Sequence, residues 1–546
     1  MIPRLILRSI LAVAFVFSAS AALAQTATVD APAGALKGEA QGALDVFKGV
    51  PYAQPPVGKL RWRPPQPLER WAGVKEANAF GPACIQPSGA MAGVYSHDPI
   101  PTSEDCLTLN IWAPKNAKNA PVFFWIYGGA FWGGASSDPI YDGARMAERG
   151  IVVVSINYRV GVLGWLAHPQ LDAESPLHIS GNYGLLDQIA ALRWVKQNIS
   201  AFGGDPGNVT IAGESAGGLS VVYLMASPVA RGLFSKAIAQ SAYMVSMPEL
   251  GKPSFGHPAA EEAGVQLSAA FHASNMAMLR AMSGESLNQV AAAIRFAPLG
   301  VVDGHILTGQ LVDVFDKGEQ AQVPVLAGFN SGEARSLRIL VPPTPASPAD
   351  YEKSIRANYG DLADAFLKLY PSSDMPQSIL ATTRDALYGW TAQRLVRSQT
   401  GRGQASYLYF FDHGYPAADE AGLHGFHASE LPFVFGVLDK TPPQWPKIPN
   451  TESEHKLSDA MLDYWTSFVK DGKPVAADAP AWAPYGSDHS YMAFSDAPHP
   501  SQDLLPGMFK LDEEVVCRRH ASGNVQWNWN AGLLSPPLPP PAPQCK

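Results

Sequence analysis

The chain has 546 residues, 47% hydrophobic and only 16% charged, which is too apolar for a disordered chain and long enough to bury a large core. Its 40 Lys and Arg against 48 Asp and Glu leave a formal net charge of −8, with no basic run anywhere. Nucleic acid is thereby excluded as the main partner, because phosphate binding needs clustered cations that release counterions.

The chain opens MIPRLILRSILAVAFVFSASAALAQ, where Arg4 and Arg8 precede an apolar stretch ending in Ala22-Leu23-Ala24. This order predicts a secretory signal peptide over residues 1–24 and a mature chain that starts at Gln25. The expected location is periplasmic or secreted. No later run is long and apolar enough to span a bilayer, so no stable membrane span is expected after processing. Residues 25–546 contain no clear linker and read as a single domain with a Pro-rich tail over 535–546. Nothing in the sequence sets the oligomeric state.

Six apolar runs follow in chain order: APVFFWIYGG, GIVVVSINYRV, NVTIAGES, KAIAQSA, VPVLAGFNSGE and ASYLYFFDHG. Each predicts a short buried strand that runs into a loop. Between them lie amphipathic segments such as GLLDQIAALRWVKQNISAF and EHKLSDAMLDYWTSFVKDG, which predict helices. The alternation predicts an α/β fold: a large, mostly parallel central sheet with helices on both faces and ligands at the carboxyl ends of its strands. The Pro-punctuated stretches 248–287 and 342–397 predict helical insertions over that sheet. The tail LLSPPLPPPAPQCK predicts an extended spacer or surface strap, since successive prolines lack amide donors.

Export favours disulfides, and Cys84, Cys106, Cys517 and Cys545 allow three pairings. Closing the shorter loops predicts Cys84 with Cys106 and Cys517 with Cys545. No CxxC or His-rich spacing supports zinc, so neither a metal nor a cofactor is assigned.

The segment Gly213-Glu214-Ser215-Ala216-Gly217 matches G-x-S-x-G directly after a predicted strand and directly before a helical run, the context this motif requires. Ser215 is therefore the candidate nucleophile. At the start of the helix, the Ala216 amide can donate to an oxygen that gains charge during acyl transfer. A serine hydroxyl needs a base, and the base needs a third group to hold its tautomer. Downstream, Glu333, Asp303 and Asp412 all lie near strand ends, and HGFHASELPFVFG offers His424 and His427. Position and residue type do not choose among them.

At this point the chain resembles the type-B carboxylesterases, which include the cholinesterases and have the α/β-hydrolase fold. The resemblance is carried by FKGVPYAQPPVGKLRWRPPQP, SEDCLTLNIWAP, WIYGGAFWGGASS, VVVSINYRVGVLGWL, GNYGLLDQIAALRWVKQNISAFGGDPGNVTIAGESAGG, GFNSGEA and HASELPFVFG. It implies Glu333 as the acid, His427 as the histidine, and the amides of Gly129, Ala130 and Ala216 as the oxyanion hole. His424 then looks like a loop residue and Asp303 like part of a turn. The Cys84–Cys106 pair is implied as well. The order Ser215, Glu333, His427 agrees with this fold.

One departure follows the acid, where Ala334-Arg335-Ser336-Leu337 replaces the usual residues and Ser336 and Leu337 stand in place of aromatics. The loop from Ile85 to Asp105 also lacks a tryptophan to stack on a quaternary ammonium, so poor choline-ester hydrolysis is expected. Arg335 and Arg338 either face solvent or receive a carboxylate-bearing ester. Tyr95, Phe131, Trp132 and Trp390 are candidate walls of an apolar cleft. The expected activity is hydrolysis of a small-molecule ester through an acyl-enzyme. Amidase or lactonase activity is the near alternative, and a binding protein that has lost the triad is the remote one.

Overall fold

The computed structural model describes residues 26–546 apart from Ser88, Ala90, Met91, Ala92, Asn530 and Lys546. The signal-peptide prediction over residues 1–24 lies outside the described residues. All six predicted strands form, as Ala120–Ile126, Val152–Ile156, Gly204–Glu214, Lys236–Gln240, Val325–Asn330 and Tyr407–Phe411. Every residue of Val152–Ile156, Lys236–Gln240 and Val325–Asn330 is buried. Such strands lack polar alternation because both of their faces are covered.

The sheet runs in the order Thr26–Ala31, Gly34–Gln41, Leu44–Pro51, Thr108–Pro114, Val152–Ile156, Ala120–Ile126, Gly204–Glu214, Lys236–Gln240, Val325–Asn330, Tyr407–Phe411, Ser490–Phe494 and Pro498–Gln502. From Val152–Ile156 to Ser490–Phe494 each neighbour is parallel, and antiparallel strands flank this block on both sides. Parallel pairing forces crossovers, which the helices around the sheet supply.

The predicted helices form over Tyr183–Asn198 and Glu452–Asp471. The latter starts on Thr451, whose hydroxyl accepts from the Glu454 amide, and stops at Gly472 with φ +71°, the left-handed conformation that suits glycine at a helix end. Helix Tyr183–Asn198 is fastened to the loop after Val152–Ile156 by a buried ion pair. The Asp187 carboxylate accepts from the Arg159 amide at 3.0 Å, from Nε at 2.8 Å and from Nη2 at 2.7 Å. Removing one partner of such a pair costs about 3 to 5 kcal/mol.

The insertions are helical as expected, with Ala260–Ala270 and Met276–Arg280 in the first and Pro348–Tyr359, Ala363–Leu369, Met375–Arg384 and Trp390–Thr400 in the second; helix Gly284–Ala293 carries the first past residue 287, and Trp390–Thr400 carries the second past residue 397. Helices Met375–Arg384 and Trp390–Thr400 join through a π-helical turn over Asp385–Gly389. A second, smaller apolar cluster gathers Tyr351, Ile355, Phe366, Leu511 and Val515 beneath this insertion. The Pro-rich tail is a strap across it: Leu533 and Leu538 pack on the cluster, and the Leu538 amide donates to Asn358 O at 2.8 Å. Disulfides join Cys517 to Cys545 in the tail and Cys84 to Cys106 around the loop that carries Tyr95. No helix among the described residues is long and apolar enough to cross a membrane.

Candidate active site

Five parallel strands end side by side and deliver the candidate residues to one edge of the sheet. Strand Gly204–Glu214 pairs Gly213 with Ile126 and Glu214 with Gln240, so Ser215 emerges between the loops that follow those neighbours. Ser215 has φ +57° and ψ −123°, a conformation that a non-glycine residue keeps only where its surroundings impose it. Its amide donates to Gln240 O at 3.0 Å, and helix Ala216–Ala226 begins at the next residue. The flanking glycines serve close approach. A Cβ on Gly213 would lie 2.4 Å from Gly217 O, and one on Gly217 would lie 2.1 Å from Ile126 O.

The loop after Ala120–Ile126 turns through positive φ at Gly129 (113°), Ala130 (53°) and Phe131 (58°). Trp132 and Gly133 donate their amides back to Gly129 O, whereas the Gly129 and Ala130 amides take no backbone partner among the described residues. Tyr127 and Tyr158 brace this loop reciprocally, each hydroxyl donating to the other's carbonyl, at 3.1 and 2.9 Å. Ala216 stands first in its helix, where an amide has no intrahelical acceptor.

Glu333 lies three residues beyond strand Val325–Asn330 and is fully buried. One carboxylate oxygen accepts from Ser241 Oγ at 2.6 Å and from the Asn330 amide at 2.8 Å, while the other meets His427 Nδ1. The loop carrying Glu333 is zipped to the loop carrying His427, since the Gly332 amide donates to Gly425 O at 2.7 Å and Asn330 Nδ2 donates to Phe426 O at 2.8 Å. Of the competing candidates, Asp303 accepts three backbone amides of its own turn, and Asp412 faces His424. His424 is 39% exposed and is held by Asp419 at 2.7 Å, away from Glu333.

His427 Nε2 lies 3.0 Å from Oε1 of Glu214, the residue before Ser215, off the line that a hydrogen bond needs. The Ser215 hydroxyl makes no hydrogen bond among the described residues. The structure therefore joins Glu333 to His427 and sets Ser215 next to them through its neighbour Glu214. An unbound site with a loose nucleophile–base contact is usual, because that contact tightens on substrate.

Glu214, Gln240, Ser241 and Glu430 are members of the site that sequence reasoning passed over. Their signal is a polar residue at or just beyond the carboxyl end of an apolar run, or, for Glu430, beside a histidine in a loop. Glu430 accepts from Gln240 Nε2 at 2.9 Å and Asn330 Nδ2 at 2.6 Å. Tyr95 donates to His427 O at 2.8 Å and receives Ser336 Oγ at 2.7 Å, so Ser336 supports the histidine loop through a tyrosine. Two expected cleft residues are core instead. Phe131 packs 4.4 Å from Trp165, and Trp390 is fully buried with Nε1 donating to Glu513. Trp132 stays partly exposed beside Phe296, at 6.1 Å.

Arg335 donates to Gly422 O and Gln377 Oε1, each at 3.1 Å, and Arg338 is exposed. A cavity of about 890 Å3 lies between helices Met508–Ser522 and Trp390–Thr400, lined by Lys368, Arg397 and Lys510, and contains none of the site residues. Chemistry rather than volume locates the site.

Three buried glutamates surround one imidazole. Burial pushes Glu214 up to about 8, against the attraction of His427. Burial pulls His427 down, but Glu214 and Glu333 outweigh it and raise the imidazole to about 9. The imidazole is thus held in its charged form to higher pH than a free histidine, and it must lose that proton to act as a base. Hydrolysis should fall as pH drops, with a kcat/KM midpoint above the ordinary histidine value of 6.5. Glu214→Gln should move that midpoint down; an unmoved midpoint in a pH–rate profile would exclude Glu214 as a cause.

Comparison with known proteins gives the family. The family model described as the carboxylesterase family matches residues 25–506. A fumonisin B1 esterase of Sphingopyxis macrogoltabida is 36% identical over 475 residues, covering 84% of this chain and 85% of that protein. A para-nitrobenzyl esterase of Bacillus subtilis is 36% identical over 474 residues, covering 83% and 91%. Among solved structures, a PNB esterase superposes with a TM-score of 0.76 at 32% identity, covering 89% of this chain and 99% of its own. With a serine bend, an acid–histidine pair and unpaired amides at the edge of a mostly parallel sheet, this chain belongs to the carboxylesterase family, the carboxylic ester hydrolases of the α/β-hydrolase fold.

Proposed function

We propose that the chain hydrolyses a small-molecule ester by two acyl transfers through Ser215. His427 takes the Ser215 proton as the oxygen attacks the ester carbonyl, then gives it to the leaving alcohol, and water repeats the sequence to release the acid. Glu333 holds the imidazole by Nδ1 and stabilises its charged form. The amides of Gly129, Ala130 and Ala216 receive the oxyanion, where losing one donor costs about 3 to 4 kcal/mol. The observation that carries the reading is the Glu333–His427 contact beside a serine held at φ +57°. The same constellation attacks amides and lactones, and no observation favours them over esters.

The substrate proposed is an uncharged ester. A carboxylate-bearing one would need a cation at the site, whereas the Arg335 guanidinium is already bonded to Gly422 and Gln377 and Arg338 stands in solvent. We also propose export, because two disulfides suit an oxidising compartment and the first 24 residues have the order of a signal peptide.

A panel of p-nitrophenyl esters from acetate to long acyl chains, with one carboxylated member, tests the mechanism. Ser215→Ala and His427→Ala should each lower kcat by about 10,000-fold or more, and Glu333→Gln by about 1,000-fold or more. His424→Ala and Asp303→Asn should keep most activity, and Arg335→Ala should leave the neutral-to-carboxylated ratio unchanged. Retained turnover in Ser215→Ala would refute the nucleophile. Sequencing the amino terminus of the exported protein should begin at Gln25; recovery of the intact start from the cytoplasm would refute export.

A further inference from the structure

Tyr95 reaches His427 from the loop that the Cys84–Cys106 disulfide closes. Its hydroxyl donates to His427 O at 2.8 Å and lies 2.7 Å from Ser336 Oγ. A phenol has one proton to give, so with that proton on the carbonyl the second bond runs the other way, from the Ser336 hydroxyl into the tyrosine oxygen. Two hydroxyls thus stand in series, Ser336 to Tyr95 to His427 O. Each bond polarises the next and strengthens it. Ser336, which stands in place of an aromatic, supplies the first donor.

The carbonyl at the end of this series belongs to the peptide that joins His427 to Ala428. Ala428 has φ +67°, a left-handed torsion that an alanine keeps only under outside constraint, and this torsion sets the plane of that same peptide. No other group among the described residues donates to His427 O. Glu333 grips the imidazole at Nδ1 alone, so where Nε2 lies depends on the backbone that carries the ring. The Tyr95 hydroxyl holds that backbone.

Tyr95 is itself anchored. Its ring meets Trp445 edge-on at 5.9 Å, and Trp445 packs 4.7 Å from Phe426, the residue before His427. Its loop is pinned on both sides of Tyr95 to the loop that follows Gly129 and Ala130. Gln86 exchanges two hydrogen bonds with Gly134, at 2.9 and 3.0 Å, and His97 Nε2 lies 2.9 Å from Asp138 Oδ2. Burial pushes the Tyr95 phenol well above its ordinary value, so the donor keeps its proton at working pH.

We infer that Tyr95 and Ser336 are positioning residues for the catalytic histidine, a relay of two hydroxyls that holds the His427–Ala428 peptide against its strain and so keeps the imidazole in reach of Ser215. Neither residue touches the reacting atoms in this role. The inference rests on His427 acting as the base at Ser215.

The test measures kcat and KM for p-nitrophenyl acetate, together with the thermal midpoint, in the wild type, Tyr95→Phe, Ser336→Ala, Ser336→Thr and the double variant Tyr95→Phe/Ser336→Ala. Tyr95→Phe keeps the ring and should lower kcat by about tenfold to a hundredfold, as a misplaced catalytic group does, with KM unchanged within about twofold. Ser336→Ala should lower kcat by about three- to tenfold, the worth of one hydrogen bond, and Ser336→Thr, which keeps a donor, should restore most of that loss. The double variant should be no slower than Tyr95→Phe alone, because Ser336 acts only through the tyrosine. A folded Tyr95→Phe with wild-type kcat, or with a change in KM alone, overturns the positioning role. Losses that multiply in the double variant, or a Ser336→Thr as slow as Ser336→Ala, overturn the relay. If Tyr95→Phe does not fold, the two Ser336 variants decide alone. Full turnover in His427→Ala would remove the base and this inference with it, whereas loss in His427→Ala beside an unaffected Tyr95→Phe would overturn this inference only.

Discussion

The positive φ of Ser215 is the constraint on which the catalytic edge depends. A serine at φ +57° stores roughly 1 to 3 kcal/mol, and the surrounding contacts hold it there. The strand before it is paired on both sides, the helix after it is buried along its whole length, and the crossing of Gly213 and Gly217 leaves no room for a Cβ. Relaxing that bend would turn the hydroxyl away from the imidazole and the Ala216 amide away from the oxyanion position together. Nucleophile and oxyanion donor are thus set by one backbone torsion.

The second constraint is electrostatic. Glu214, Glu333 and Glu430 are all buried, and buried carboxylates persist only where protons or donors compensate them. Glu430 and Glu333 are compensated by amides and hydroxyls from neighbouring strands, which leaves the imidazole to serve Glu333. Glu214 has no such donor at Oε1, and its nearest charge partner is the His427 imidazole at 3.0 Å. The site thereby favours the charged imidazole that forms when Ser215 gives up its proton, at the cost of a base that is less free at low pH.

Much of the fold was legible because buried parallel strands leave an unmistakable trace: VVVSI and KAIAQ are apolar throughout, and the helices between them are amphipathic. Ser215 was legible because its motif includes its own strand and helix. The acid was less so, since Glu333, Asp303 and Asp412 all follow strand ends, and only long-range contacts separate them. Asp303 spends one oxygen on three local amides, whereas Glu333 reaches across 94 residues to His427. Aromatics misled for the same reason. Nothing local in the sequence marks Trp390 as a core residue, sunk against Trp527, rather than a wall of the cleft.

The central claim, that Ser215 is a nucleophile activated by His427 and Glu333, is tested most directly by covalent labelling. The protein is incubated with an organophosphate that phosphorylates activated serines, and the adduct is located by mass spectrometry of the digested chain. The account predicts one adduct, on Ser215, whose rate of formation falls as pH is lowered and which Glu333→Gln slows. An adduct on any other residue, or none on a folded protein, would contradict it.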